Sequence, residues 1–98
     1  MAETSSIRLA IVCNAHAIER HGLSAAEIVD AYNQGAPCEV YESYRKNRCM
    51  IVLRVWRELL GLVFTTRYNA FFTAFRCSEH RLGHIIERDG YERVREAA

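Results

Sequence analysis

Arg48-Cys49-Met50-Ile51-Val52-Leu53-Arg54-Val55-Trp56 is the segment that settles the architecture. Branched residues dominate it, and branching at Cβ favours extended backbone. Side chains on a strand alternate between two faces. Cys49, Ile51, Leu53 and Val55 therefore share one face, and Met50, Val52, Arg54 and Trp56 share the other. The same period of two continues outward. Upstream, Val40, Glu42 and Tyr44 alternate with Glu39, Tyr41 and Ser43, and Arg45-Lys46-Asn47 makes a polar turn. Downstream, Leu59 to Tyr68 is a further β segment, and Asn69-Ala70 is a tight connection to Phe71 to Cys77.

The flanks read as helices. Ser24-Ala25-Ala26-Glu27 is a capping box that opens one helix, with Leu23, Ile28, Val29 and Tyr32 as its apolar face. Gly35 and Pro37 end that helix, and Ala15 to His21 forms a shorter one before it, closed by Gly22. Ser78 is the expected N-cap of a last helix, broken near Gly90 and trailing into the charged run Tyr91 to Ala98. At the start, Ile7, Leu9 and Ile11 alternate with Arg8 and Ala10, so Ile7 to Cys13 is expected to be a strand. The predicted order is β-α-α-β-β-β-β-α. This is the α+β class: a small antiparallel sheet of about three to five strands on an N-terminal helical pair, with a C-terminal helix.

Composition bounds the rest. The 98 residues, 50% hydrophobic and 26% charged, match one ordinary globular domain rather than a disordered or collagen-like chain. No apolar stretch approaches the ~20 residues needed to span a bilayer. Met1 to Ser6 has neither the basic flank nor the apolar segment of a signal peptide, so a cytoplasmic location is expected, without membrane contact. Cys13, Cys38, Cys49 and Cys77 include no C-x-x-C pair and are expected to be reduced thiols. The net charge of +1 conceals a division: Met1 to Glu42 carries −4, whereas Ser43 to Arg81 carries +6. Twelve of the 13 cations are arginines, whose planar fork suits phosphate or carboxylate. A basic sheet beside an acidic N-terminal third points to RNA or an acidic partner, or to halves that neutralise one another.

Ala15-His16-Ala17-Ile18-Glu19-Arg20-His21-Gly22-Leu23-Ser24, followed by Glu27-Ile28, resembles the "HAxxR…GIS" opening of a family of small bacterial and phage domains. Arg20 to Ser24 also looks like the "KHGVS" element of BrnT-type toxins, within the RelE/ParE-like ribonuclease toxin fold. Phe72-Thr73-Ala74-Phe75-Arg76, through Glu79 and Arg81, is similar to the "ISARRA…RE" segment of BrnT. The matched residues number about twenty, in short helix-cap patterns of low specificity. The resemblance implies RNA cleavage by basic residues on the sheet, here Arg76 and Arg81, and a cognate antitoxin protein as partner. Two departures are plain: BrnT-type chains are more basic, and their double arginine is here Phe75-Arg76.

RNA cleavage requires cations on the phosphate and a base for the 2′-hydroxyl. Arg76, His80 and His84 are the candidate catalytic residues, and Arg54, Arg67 and Arg81 the candidate RNA or phosphate contacts. The expectation is that Arg54, Arg67 and Arg76 converge with His80 or His84 within about 10 Å, one screening length. Each arginine could instead lie along its neighbours or pair with Glu39, Glu42 or Glu58. His80, His84 and Glu87 fall on one helical stripe. Cys77, His80 and His84 would supply three zinc ligands, but no second cluster completes the set, so no metal or other cofactor is expected. His16 reads as a packed or capping residue, and Trp56, Phe64, Phe71, Phe72 and Phe75 as core. Tyr41, Tyr44 and Tyr68 interleave with Arg45, Lys46, Arg48 and Arg67, a mixture that suits either stacked bases or a protein interface. Two functions stay open. One is a RelE/BrnT-like RNA-cleaving toxin. The other is a non-enzymatic interaction module of phage or mobile-element origin (an inhibitor, an immunity-like protein or a homodimer pairing through Tyr41, Met50 and Val52).

Overall fold

The computed structural model describes residues 2–55, 57–65 and 70–94, with side chains from residue 7 onward. Helices α1 (Ala2–Cys13), α2 (Ala15–Arg20) and α3 (Ala25–Asn33) come first. Strands β1 (Cys38–Ser43), β2 (Arg48–Val55), β3 (Glu58–Thr65) and β4 (Phe71–Cys77) follow, then α4 (Glu79–Asp89) and β5 (Glu92–Val94). The five strands form one antiparallel sheet in the order β4-β3-β2-β1-β5. The α+β architecture read from the sequence is the one observed, with changes at both ends of the chain.

The first change is at Ile7 to Cys13, expected as a strand and found inside α1. Ile7, Ala10 and Ile11 are buried at 2%, 5% and 0% exposure, whereas Leu9 and Val12 are more than half exposed. Positions i, i+3 and i+4 point one way on a helix and not on a strand. A window of seven residues is too short to separate the two periods when alanine can count as core. The second change is at the end. The last helix stops at Gly90, whose φ of 71° is left-handed, and the Tyr91 N–H donates to the Ile86 carbonyl at 2.9 Å. The chain then returns to the sheet, where Val40 pairs with Val94 and Glu42 with Glu92, so part of the expected charged tail is an edge strand. The expected Tyr68 end of the third β segment, Asn69 and Trp56 lie outside the described residues.

Both faces of the sheet are covered. Val40, Cys49, Ile51, Leu53, Leu60, Leu62 and Phe64 pack against Ile7, Ile11, Ile18 and Ile28 of the three N-terminal helices. Met50, Val52, Leu59 and Val63 pack against Leu82, Ile85 and Ile86 of α4 and against Tyr91. Each such side chain, fully buried, contributes about 1.5–3 kcal/mol. Met50 and Val52, two of the three residues expected to pair the sheets of two copies, are buried in this α4-side core, and Tyr41 is half-buried against it. Among the described residues, no helix is long and apolar enough to cross a membrane.

Local chemistry sets the helix positions. Ser24 Oγ accepts from the Glu27 N–H and Ser78 Oγ from the Arg81 N–H, both at 3.2 Å, as the N-caps predicted. Asn14 joins α1 to the sheet edge: its Nδ2 donates to the Ala10 carbonyl at 2.8 Å, and its Oδ1 accepts from the Phe71 N–H at 2.9 Å. Buried Ser43 donates to the Asp89 carbonyl at 2.6 Å and accepts from the Lys46 N–H at 3.1 Å. The Arg45 guanidinium donates to the Arg88 carbonyl. The β1–β2 turn therefore clamps the C-terminal end of α4 against the sheet.

Candidate functional site

The register decides which cations can meet. Arg54 is paired with Leu59, and Leu59 with Cys77, on the α4 face. Arg76 is paired with Leu60, on the face covered by the N-terminal helices. Arg54 and Arg76 therefore lie on opposite faces of the sheet. Arg54 makes an ion pair with Glu79 at 3.0 Å, between side chains that are 51% and 74% exposed. That partner is a different carboxylate from the three read from the sequence. Arg67 lies outside the described residues.

The remaining candidates are divided by α4. Arg81 lines a groove of about 550 Å3 between this helix and the Arg48 end of the sheet. His80 and His84 face a shallower recess of about 710 Å3, which they share with Glu79, Glu87 and Glu92. Their rings meet edge to face with centroids 4.6 Å apart and Nε2 atoms 3.2 Å apart. Arg76 lines a third hollow, of about 340 Å3, with His21 and Leu23. Arg81, the histidine pair and Arg76 thus line three different hollows, and Arg54 meets the histidine recess through Glu79.

The groove beside α4 has the chemistry most concentrated. Lys46, Arg48, Arg81 and Arg88 supply four cations, and Asp89 supplies one carboxylate. Phe72 and Tyr91 add aromatic surface. Arg48 stands at the start of β2 on the α4 face, with its guanidinium carbon 4.0 Å from the centroid of the Phe72 ring. An exposed contact of this kind is worth about 0.5–1 kcal/mol. Phe72 reaches this side because the β3–β4 ladder shifts at Val63/Phe64, which pair with Thr73 and Phe71 and leave Phe72 as the extra residue. The shift leaves Phe71 against Phe64, at a centroid distance of 5.7 Å, and Phe72 53% exposed rather than in the core. Strict alternation placed Phe72 with Ala74 and Arg76; the bulge separates them.

Electrostatics order the groove floor. The Arg88 fork donates to both Asp89 oxygens at 3.0 and 3.1 Å. Those hydrogen bonds hold the Asp89 carboxyl below its usual range, against an opposing effect of burial. Burial, helped by Asp89, pushes the Tyr91 hydroxyl up, so it stays a neutral donor at physiological pH. Burial also raises the Cys77 thiol, which packs against the α4-side core. Tyr44 is 84% exposed on the turn beside the groove, whereas Tyr41 donates to Glu39 at 2.8 Å and is half-buried. Tyr68 lies outside the described residues.

His21 is a further histidine, in the hollow of Arg76. It caps α2, and Gly22 (φ 82°) turns the chain so that the imidazole meets the Phe71 ring edge-on, with centroids 5.0 Å apart. Its Nδ1 lies 3.3 Å from the Ala17 carbonyl oxygen, which can only accept, so Nδ1 is the donor in that contact. The Gly22 cap was the available signal for this placement. All four cysteines are free thiols. Among the described residues, no group of three or more His, Cys, Asp or Glu side chains could hold a metal ion. No protein-family model matches the chain, and neither a curated protein nor a solved structure shows significant similarity to it.

Proposed function

We propose that this chain is a non-enzymatic RNA-binding module that holds a single strand in the groove between α4 and the Arg48 end of the sheet. The observation that carries the reading is Arg48 stacked at 4.0 Å over exposed Phe72, in a groove that Lys46, Arg81 and Arg88 also line. Single-stranded nucleic acid needs a π-face for a base and cations for the adjoining phosphates, and this groove offers both. Binding is favoured over cleavage there because His80 and His84 line a different recess. The test is fluorescence anisotropy of a labelled single-stranded RNA at several salt concentrations. Affinity is expected to fall linearly with log salt, by about 0.7 log units per phosphate contact. Arg81→Ala and Lys46→Ala should each reduce that slope by about one contact. Phe72→Ala should cost about 1–3 kcal/mol with the slope unchanged. Binding that ignores salt, or that survives all three substitutions, rejects the reading.

A second reading keeps the expectation of a RelE/BrnT-like ribonuclease, and the hollow shared by His21 and Arg76 favours it. Arg76 would hold the phosphodiester, and His21 Nε2 would take the 2′-hydroxyl proton as that oxygen attacks phosphorus. The 5′-oxygen then leaves with a proton from water. The same RNA, run on a denaturing gel, separates the readings. Shortened products that disappear with His21→Ala and Arg76→Ala support cleavage, and intact RNA supports binding alone.

A further inference from the structure

We infer that His80 and His84 form a divalent transition-metal site on the outer side of α4. The two Nε2 atoms are 3.2 Å apart on exposed side chains one helical turn from each other. A metal about 2.0–2.1 Å from each nitrogen would subtend about 100° between them, within the range of tetrahedral and octahedral sites. The rings stand at 85° to each other.

The helix under the pair is held at both ends and along its inner side. Ser78 caps its start, Gly90 ends it, and Leu82, Ile85 and Ile86 pack inward. Fixing two ligands on a rigid helix removes part of the ordering cost of chelation. The surroundings also favour a cation: Glu79, Glu87 and Glu92 line the same recess. Glu79 is paired with Arg54, and water would complete the shell around the two imidazoles. Cys77 takes no part, because it packs on the α4-side core. Two imidazoles select Ni2+, Cu2+ or Zn2+ over Mg2+ or Ca2+, which prefer oxygen ligands. The recess and the groove are different hollows that share Tyr91, and Arg81 and Arg88 of the groove neighbour His84 on the surface of α4.

The test is calorimetric titration of the full chain with NiCl2 at pH 7.5. Binding of one Ni2+ per chain is expected, and it should weaken in acid as protons compete with the metal for the imidazoles. His80→Gln and His84→Gln should each lower affinity more than about tenfold, since even the loss of an outer-shell partner costs that much. His16→Gln, at an exposed histidine elsewhere, should leave affinity unchanged. All these positions are exposed, and circular dichroism would verify that each variant folds. No Ni2+ binding by the wild type, or unchanged affinity in His84→Gln, would show a hydrogen-bonded histidine pair only and overturn the inference.

Discussion

Gly61 is the glycine at which an added Cβ meets the closest neighbour. A Cβ built there lies 2.5 Å from the Phe75 ring, which lies across β3 at that point. Gly61→Ala is expected to destabilise the protein by about 1–3 kcal/mol, as overpacking does, read from the urea midpoint at constant m-value. Arg54→Ala is the contrasting case. Its ion pair with Glu79 is exposed on both sides, so the loss should stay below about 1 kcal/mol. The periodicity that placed Arg54 on one face could not name Glu79, which comes from the start of α4 rather than a neighbouring strand. Single-residue features of this kind depend on what the third dimension brings opposite.

Helix α4 separates the basic groove from the histidine recess, and its C-terminal end is held by charge as well as packing. Asp89 is ionised below its normal range chiefly by the Arg88 hydrogen bonds, with Lys46 and Arg45 also lowering it. A carboxyl whose folded-state pKa is depressed stabilises the fold above its unfolded value, near 3.9, and loses that contribution as pH falls through the folded value. Urea midpoints measured from pH 6 to pH 2 should therefore fall more steeply in the wild type than in Asp89→Asn. Equal slopes would show that the Arg88–Asp89 contact does not persist in solution. The caps of α3 and α4 were legible because Ser24 and Ser78 act within three residues of themselves. The Asn14 link to Phe71 was not, because it joins positions 57 apart.

The whole molecule is a sheet covered on both faces, and stability should be graded across it. Strands β2 and β3 are central and buried on both sides, whereas β5 is three residues long and pairs only with β1. Backbone amides of Ile51 to Leu53 and Leu60 to Val63 are expected to exchange with deuterium slowest, and those of Glu92 to Val94 fastest among the strands. Rapid exchange in β3 would contradict this layering. The charge division of the sequence takes a different form in space. The acidic recess draws Glu79, Glu87 and Glu92 from the C-terminal half, next to a groove whose cations come from both β2 and α4.

From its sequence alone, this protein's α+β class followed, together with the two faces of β2, the caps of α3 and α4 and the turn at Arg45 to Asn47. Each depends on periods and side chains within a few residues of one another, where local sterics dominate. Tertiary structure decided the rest. It made Ile7 to Cys13 helical, returned Glu92 to Val94 to the sheet, and turned Phe72 outward through one extra residue in β4. It also put Arg76, Arg81 and the histidine pair in different hollows, with Arg54 paired to Glu79 at the histidine recess. Cross-strand register and helix packing determine those outcomes, and both depend on contacts between residues far apart in the chain.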